Sequence, residues 1–248
     1  MFDLELDRVV KWIGDGGFSS VAVQLPEGLK IRAPEISDYI ESRTGASVLI
    51  IGRPCYGACD LFDYKGWADA IVHYGHSAIP SMGDDPNVLY IEARSDVELD
   101  EDRIKAVLEP PLGRVGILAT IQYIDLIPGI RRILESMGRT TVVGTGDRRI
   151  MYPGQVLGCN CTAAESASDK ADNSFIADCF IYIGEGDFHP LAAAFGAGKP
   201  VYVLNPMACE LRDMSDARDR MIRRRFGIIQ TAAHAERFLI IICSKVCQ

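Results

Sequence analysis

The sequence predicts an α/β protein made of repeated domains, each with a small parallel sheet flanked by helices. Short, nearly continuous apolar segments alternate with amphipathic stretches of roughly ten to fifteen residues, which is typical of parallel sheets covered by helices on both faces. The same order of elements also occurs twice. In each copy a strand, a helix and a second strand lead to a cysteine-containing loop, and an Ala-Asp pair then opens a strand that ends in glycine. Repetition on this scale indicates duplicated domains.

The first copy occupies residues 1–110. We predict strands at 21–25, 47–52 and 68–75 and helices at 4–13, 32–43 and 100–109. The loop after the second strand contains Cys55 and Cys59. The segment Glu109-Pro-Pro-Leu-Gly113 ends the last helix, because proline removes a backbone donor and clashes with the preceding turn. We therefore place the first domain boundary at about residue 110.

The second copy occupies residues 111–206 and repeats this order. We predict strands at 114–119, 140–144, 177–184 and 201–204 and a helix at 121–137. Cys159 and Cys161 lie in the loop that corresponds to the first cysteine loop. Residues 207–248 add a predicted helix at 216–226 and a strand at 238–243. We expect them to be the start of an incomplete third domain, and a two-domain protein with a C-terminal appendage is the alternative.

Composition and charge restrict the class of protein. The 248 residues are 48% hydrophobic and carry a net charge of −8, which argues against a general nucleic-acid binder. The single basic run, Arg223 to Arg225, is read as a solvated helix face. The first residues after Met1 include acidic ones, where a secretory signal would have a basic region followed by an apolar one. No uninterrupted apolar run approaches the roughly 20 residues that a membrane-spanning helix needs. We expect a cytoplasmic protein, in which cysteines are ligands, nucleophiles or core residues.

Two of the eight cysteines are predicted to bind a metal or cluster. Cys59 and Cys159 follow glycine-containing segments in loops after parallel strands, and open α/β sheets place their ligands at that edge. Thiols at equivalent edges of duplicated domains can converge on one centre. Cys179 and Cys209 are predicted to pack in the core, because free cysteine behaves as a small hydrophobe.

A zinc site is the alternative for the same loops. It would use the four thiolates of Cys55, Cys59, Cys159 and Cys161. The spacings Cys-x3-Cys and Cys-x-Cys differ from the usual Cys-x2-Cys of zinc knuckles, so zinc is less favoured. Cys243 and Cys247 could also bind a metal or cluster, but nothing nearby in the sequence supports that role.

Polar residues and glycines lie at the same predicted edge of each sheet. Gln24, Glu27 and Gly28 follow the first strand, where they could contact a ligand or simply start a helix. His76 follows a glycine after another strand. In the second copy, Gly184, Gly186 and His189 surround a turn before a helix, and backbone amides at such a turn could hold a carboxylate or phosphate. These seven residues are the candidate cofactor-binding or substrate-binding groups.

Five motifs in register resemble those of the diphthamide synthase family. They are Gln24-Leu-Pro-Glu-Gly-Leu29, Tyr56-Gly-Ala-Cys-Asp60, His73-Tyr-Gly-His-Ser77, Gly154-Gln-Val-Leu-Gly-Cys159 and Gly184-Glu-Gly-Asp-Phe-His-Pro190. The resemblance covers nearly all of the chain in the right order. It implies three similar α/β domains that each give one cysteine to a [4Fe–4S] cluster at their interface.

The resemblance also implies an activity and its partners. In the family the open iron of the cluster binds S-adenosylmethionine, whose 3-amino-3-carboxypropyl group is transferred by a radical mechanism to a histidine of translation elongation factor 2. This transfer is the first step of diphthamide formation. An electron donor is needed, and archaeal members act as homodimers. The resemblance assigns no further catalytic side chain.

Position by position, Cys59 and Cys159 match the first two cluster ligands of the family. The resemblance places the third ligand beyond Gln248, and Cys243 and Cys247 stand where the family has a small residue and a glycine. We therefore expect the 248-residue sequence to have little activity by itself. Two alternatives remain open, a non-catalytic or electron-supplying partner subunit and a zinc-stabilised binding protein.

Overall fold

A computed structural model describes residues 2–108, 113–167 and 177–242 of the chain. It contains parallel sheets flanked by helices, so the predicted fold class is confirmed. The contacts divide the chain into two compact units between Asp96 and Val97. This division precedes the boundary expected near residue 110, because the helix around residue 104 packs within the second unit. The third domain expected from residue 207 stays a prediction.

The first unit contains a four-stranded parallel sheet. Its helices and strands are α1 (Leu6–Gly16), β1 (Ser20–Gln24), α2 (Ala33–Thr44), β2 (Ser47–Ile51), β3 (Ala70–Tyr74) and β4 (Val88–Ile91), with short 3₁₀ helices at Glu27–Arg32, Ala58–Asp60 and Pro80–Met82. The strand order is β2-β1-β3-β4. Because β2 and β3 lie on opposite sides of β1, the sheet has a topological switch point, where open α/β sheets bind ligands at the carboxyl ends of the strands.

The second unit repeats the parallel sheet of the first. Its elements are α3 (Glu101–Val107), β5 (Val115–Ala119), α4 (Ile127–Ser136), β6 (Thr141–Val142), α5 (Thr162–Ser166), β7 (Cys179–Ile183), α6 (Phe188–Gly196), β8 (Val201–Asn205), β9 (Glu210–Asp213) and α7 (Ser215–Ala232), with a 3₁₀ helix at Ile121–Leu126. The strand order is again β6-β5-β7-β8, with β9 added antiparallel to β8. The repeat recognised in the sequence is therefore a repeat of sheet topology.

Hydrophobic periodicity explains how the helices cover the sheets. In α1, Val9 and Ile13 lie one turn apart and are both fully buried, and Gly17 closes the helix at φ 64°. They pack with Ile36 and Ile40 of α2 in the core cluster that contains the inner residues of β1. At the carboxyl ends of β1 and β3, the loops that follow these strands therefore form the edge of the sheet.

The Ala-Asp pairs have the same structural role in both units. The Asp69 carboxylate accepts hydrogen bonds from the backbone N–H groups of Ser19 and Ser20, each at 2.9 Å. The Asp178 carboxylate accepts one from the backbone N–H of Arg114 at 2.9 Å and also binds its guanidinium. Each aspartate thus ties the start of one central strand to the start of its neighbour.

Three predicted elements differ from the observed ones. The helix expected at 121–137 opens with a 3₁₀ turn, and α4 begins only at Ile127, where Pro128 is tolerated in the first turn. The strand expected at 140–144 is shortened to Thr141–Val142. The strand expected at 238–243 is wrong over residues 238–242, which are exposed and irregular. A strand needs a neighbour for its hydrogen bonds, and no described strand pairs with this segment. Residue 243 lies outside the described residues.

Candidate functional site

Cys59 lies in the loop that leaves β2 of the first unit. It is half-buried and occupies the middle of the one-turn 3₁₀ helix Ala58–Asp60. The Asp60 backbone N–H donates to the Gly57 carbonyl at 2.9 Å, and the Asp60 carboxylate accepts from the backbone N–H of Tyr56 at 3.2 Å. The loop therefore holds the thiol on a short, internally hydrogen-bonded turn.

Gln24 connects this loop to the sheet. Its Nε2 donates to the Asp60 carbonyl at 2.8 Å, and its Oε1 accepts from the Phe62 backbone N–H at 3.0 Å. These two contacts fix the orientation of the amide, because only nitrogen can donate and only oxygen can accept. Gln24 is 1% exposed, so it orients the Cys59 loop from inside the protein.

The same Gln24 oxygen lies 3.0 Å from Nδ1 of His73. An amide oxygen cannot donate, so His73 carries its proton on Nδ1 and presents an unprotonated Nε2. This ring is fully buried, and burial is the main reason that its pKa lies well below the usual value, with the charge of His76 as a smaller cause. His73 is therefore neutral near pH 7.

His76 and Cys55 face the unprotonated nitrogen of His73. His76 Nδ1 is 2.9 Å from His73 Nε2, and Cys55 Sγ is 3.9 Å from the same atom. Together the three side chains form a group whose potential ligand atoms all lie within 4.8 Å of one another. The turn between the histidines needs Gly75, which has φ 81° and whose added Cβ would lie 2.7 Å from Cγ of Pro26.

Glu27 and Gly28 lie at the same edge as Gln24 but face outward. Both are exposed in the first turn of the 3₁₀ helix Glu27–Arg32, which favours the helix-starting interpretation of this segment. The Glu27 carboxylate binds Lys30 Nζ at 2.5 Å, and Lys30 also donates to the Gly52 carbonyl at 3.0 Å. Glu27 and Lys30 are therefore already paired with each other.

Cys159 of the second unit lies at the tip of a tight turn and is exposed. Reciprocal backbone hydrogen bonds of 2.9 and 3.1 Å join Leu157 and Asn160 on either side of it. Asn160 is buried and donates from its amide to Asp147 at 2.9 Å. An added Cβ at Gly158 would overlap the ring of Phe188. The loop is thus held rigidly while its thiol stays accessible.

Other cysteines are positioned for packing or local hydrogen bonds. Cys161 lies 3.4 Å from a Glu165 carboxylate oxygen, and burial together with that carboxylate raises the pKa of its thiol to about 11. Cys179 and Cys209 are buried within one core cluster, as the sequence predicts. Cys243 and Cys247 lie outside the described residues. The four-thiolate zinc alternative therefore requires Cys55 to give up its contact with His73 and Cys161 to give up its contact with Glu165.

The glycine-rich turn of the second unit borders a groove of about 960 Å³. Gly184 and Gly186 line it, and the left-handed φ of Gly186, 71°, favours glycine there. Arg212 crosses the groove wall, because it contacts Asp187 at 2.6 Å and the Gly186 carbonyl at 3.3 Å. His189 is partly buried beside Phe188, and burial lowers its pKa. Arg212 and the glycine-rich turn thus line the same groove, where both could contact an anionic group.

Sequence comparison decides the family. The profile of the diphthamide synthesis proteins matches residues 25–248. This chain belongs to the diphthamide synthesis family. Its membership confirms the resemblance inferred from the five motifs.

Several curated members of the diphthamide synthesis family align over nearly the whole chain. The 2-(3-amino-3-carboxypropyl)histidine synthase of Pyrococcus horikoshii is 30% identical over 99% of the chain and 69% of its own length. The protein named subunit 1 of this synthase is 28% identical in Gallus gallus and in Homo sapiens, where the chain spans 56% and 54% of the relative. The named homologues are alkyl-transferring enzymes, in agreement with the predicted enzyme class.

Solved structures from the diphthamide synthesis family share the fold. The crystal structure of Dph2 from Pyrococcus horikoshii with a 4Fe-4S cluster superposes with a TM-score of 0.84, at 29% identity, covering 99% of this chain and 71% of that one. A second Dph2 structure superposes with a TM-score of 0.76. Among the described residues, no helix has the length and apolar character needed to cross a bilayer.

The sequence did not single out the buried partners of this family's first motif. His73 occupies an interior strand position, and the sequence suggests for Cys55 only a zinc alternative or a place beside the cluster without coordinating it. The available signal was the register of the sheet, because Gln24 and His73 are paired neighbours on β1 and β3. Two polar residues at the carboxyl ends of adjacent buried strands need partners, and each is the partner of the other.

Proposed function

We propose that this protein transfers the 3-amino-3-carboxypropyl group of S-adenosylmethionine to a histidine of translation elongation factor 2, the first step of diphthamide formation. The observation that carries this proposal is the pair of equivalent cysteine loops, in a chain whose structural neighbour contains a 4Fe-4S cluster. Cys59 and Cys159 follow corresponding strands of two units with the same sheet order. We assign them as two thiolate ligands of a [4Fe–4S] cluster.

The described residues fit such a cluster. Thiolates are the preferred protein ligands of iron–sulfur centres, and both thiols lie on short loops that stabilise themselves by backbone hydrogen bonds. Cys59 is half-buried and Cys159 is exposed, so neither is locked into a core. When bound, the cluster would supply the electron that cleaves the sulfonium bond of S-adenosylmethionine.

The chain's own residues would position the reactants. The Gly184 to Gly186 turn and the Arg212 guanidinium could hold the carboxylate of the methionine part. His76 and His189 are candidate polar contacts. Gln24 is buried and bonded to protein groups, so we assign it a positioning role, in which it fixes the Cys59 loop and His73.

The proposal includes partners and a location that follow from the family. The protein substrate is elongation factor 2, the working form is a homodimer, an electron donor reduces the cluster, and the reaction takes place in the cytoplasm. A second candidate is a non-catalytic or electron-supplying subunit of the same complex. The names of the vertebrate relatives support this second candidate, because each relative is called subunit 1 of the synthase, which implies that a further subunit exists.

Anaerobic reconstitution tests the proposal. A chain that also carries the expected third domain and its cysteine is supplied with iron and sulfide, reduced with dithionite, and mixed with S-adenosylmethionine and elongation factor 2. We expect methylthioadenosine and elongation factor 2 that has gained one 3-amino-3-carboxypropyl group, both detected by mass spectrometry. A bound cluster without product, restored to activity by a related subunit, would support the second candidate. Failure to bind iron would contradict both.

A further inference from the structure

The first unit contains a cluster of two imidazoles and one thiol, of which the proposed reaction uses only His76, as a candidate polar contact. The potential ligand atoms are Sγ of Cys55, Nε2 of His73 and Nδ1 of His76, which lie within 4.8 Å of one another. Cys55 and His73 are buried, at 3% and 0% exposure, and His76 is partly exposed. Of the three side chains, only His76 therefore reaches the protein surface.

The surroundings of His73 match those of a metal-binding histidine. Such a residue usually donates its other ring N–H to a fixed oxygen, which sets the tautomer and aims the free lone pair at the ion. His73 donates Nδ1–H to Gln24 Oε1 at 3.0 Å, and that amide is itself fixed by Phe62 and Asp60. The lone pair on His73 Nε2 consequently faces Cys55 and His76.

The repeat shows that the fold does not need these polar groups. Because Val21 pairs with Ala70 as Val115 pairs with Cys179, the positions of Gln24 and His73 correspond to those of Leu118 and Tyr182. The second unit therefore builds the same sheet around a leucine and a tyrosine. In the first unit an amide and an imidazole are buried at these positions, and each of their polar atoms then needs a hydrogen-bond partner. This cost indicates that the two side chains have a function specific to the first unit.

We propose that Cys55, His73 and His76 bind one Zn²⁺ ion, with the fourth position open to water or a small ligand. In a tetrahedral site with ordinary Zn–S and Zn–N bonds, the sulfur and nitrogen atoms lie about 3.6 Å apart and two nitrogens about 3.4 Å apart. The two separations from His73 Nε2 are 3.9 Å to Cys55 Sγ and 2.9 Å to His76 Nδ1, each within about half an ångström of these values. The third pair, Cys55 Sγ and His76 Nδ1, lies within 4.8 Å and must move closer when the ion binds. On binding, Cys55 releases its proton to solvent and His76 carries its proton on Nε2.

This site is independent of the proposed cluster. Cys59 does not belong to the group of three ligand atoms, and none of the three lies in the second unit. Loss of Cys59 should therefore remove iron without removing zinc. The two assignments can fail separately, because the two metals are measured by element.

The experiment uses the full chain, equilibrated by dialysis against buffered Zn²⁺ and analysed for zinc and iron. We expect one zinc per chain, and zinc-edge X-ray absorption should show one sulfur near ~2.3 Å and two nitrogens near ~2.0–2.1 Å. His76→Gln and Cys55→Ser should each weaken zinc binding at least tenfold, and Gln24→Ala should weaken it about 10- to 100-fold through the His73 orientation.

Cys59→Ser and Cys161→Ser are the matched controls and should keep the zinc. His76 is partly exposed, so its variant should fold, and circular dichroism checks this directly. Absence of zinc from the wild-type chain, unchanged affinity in the folded His76→Gln variant, or loss of zinc in Cys59→Ser would each overturn the proposal.

Discussion

Gln24 Oε1 accepts a hydrogen bond from His73 Nδ1 at 3.0 Å, across the paired strands β1 and β3. The same oxygen accepts from the Phe62 backbone N–H. One buried amide thus sets the tautomer of a histidine and anchors the loop that carries Cys59.

Replacing Gln24 should destabilise the first unit. Gln24→Ala leaves the Phe62 N–H, the Asp60 carbonyl and the His73 N–H without this partner, and an unsatisfied buried polar group costs about 1–3 kcal/mol. We expect the free energy of unfolding, measured by urea denaturation, to fall by about that amount. Glu27→Ala is the control, since Glu27 is exposed three residues away. Equal stability of the two variants would contradict the role assigned to Gln24.

Gly75 should tolerate a side chain less well than another glycine with a similar φ. Gly75 and Gly66 have φ values of 81° and 88°, but an added Cβ at Gly75 would lie 2.7 Å from Pro26, whereas at Gly66 nothing lies within 4 Å. Gly75→Ala should therefore lower the melting temperature more than Gly66→Ala. Both variants carry the strain of a positive φ, about 1 kcal/mol or more, so the difference reports the contact with Pro26. Identical melting temperatures would show that Pro26 moves aside freely.

The contribution of Asp178 to stability should depend on pH in the acid range. Hydrogen bonds from the Arg114 side chain and backbone lower the pKa of Asp178 to about 2. Its folded pKa lies below the unfolded value of about 3.9, so the stabilisation is present above that value and is lost as the pH falls toward the folded pKa. Asp178→Asn should be less stable than wild type at neutral pH.

Urea midpoints measured between neutral and acid pH check this expectation. The difference between wild type and Asp178→Asn should shrink from about pH 4 downward. Asp69→Asn should behave in the same direction, because hydrogen bonds from Ser19 and Ser20 lower the pKa of Asp69. A difference that grows in acid would contradict the sign of the assigned shift.

Thiol reactivity should follow the exposure and pKa of each cysteine. Burial raises the pKa of Cys179 and Cys161 to about 11, with Glu165 adding to the effect at Cys161. Near pH 8, only about one in a thousand of these thiols is then the reactive thiolate. Iodoacetamide should therefore modify the exposed Cys159 of the iron-free chain before Cys161 and Cys179, as measured by peptide mass spectrometry. Labelling of Cys179 as fast as Cys159 would contradict the buried position of β7.

Much of the fold followed from the sequence because buried parallel strands are nearly continuous apolar runs. The runs around Val72 and Ile181 identified two fully buried strands, and the repeated Ala-Asp pairs identified equivalent positions. The segment 238–242 shows the limit of the same rule. Its residues are as apolar as a strand, but apolar character cannot supply the neighbouring strand that its backbone requires.

The candidate site was only partly predictable for a similar reason. Cysteines in loops after parallel strands indicate the ligand-binding edge of the sheet. Cys59 and Cys159 could therefore be proposed as cluster ligands from their positions in the sequence. The roles of Gln24 and His73 depend on which strands become neighbours and on the orientation of one amide. Those are properties of the sheet register and the hydrogen bonds, and local sequence patterns do not contain them.

The central claim is that Cys59 and Cys159, and not the buried cysteines, bind the cluster. Its most direct measurement is the iron and sulfide content of reconstituted Cys59→Ala, Cys159→Ala and Cys179→Ala variants, with the absorbance of the cluster as a second readout. We predict that each of the first two variants loses stable cluster binding and that Cys179→Ala retains the iron content of wild type. Equal iron retention in all three variants would contradict the account.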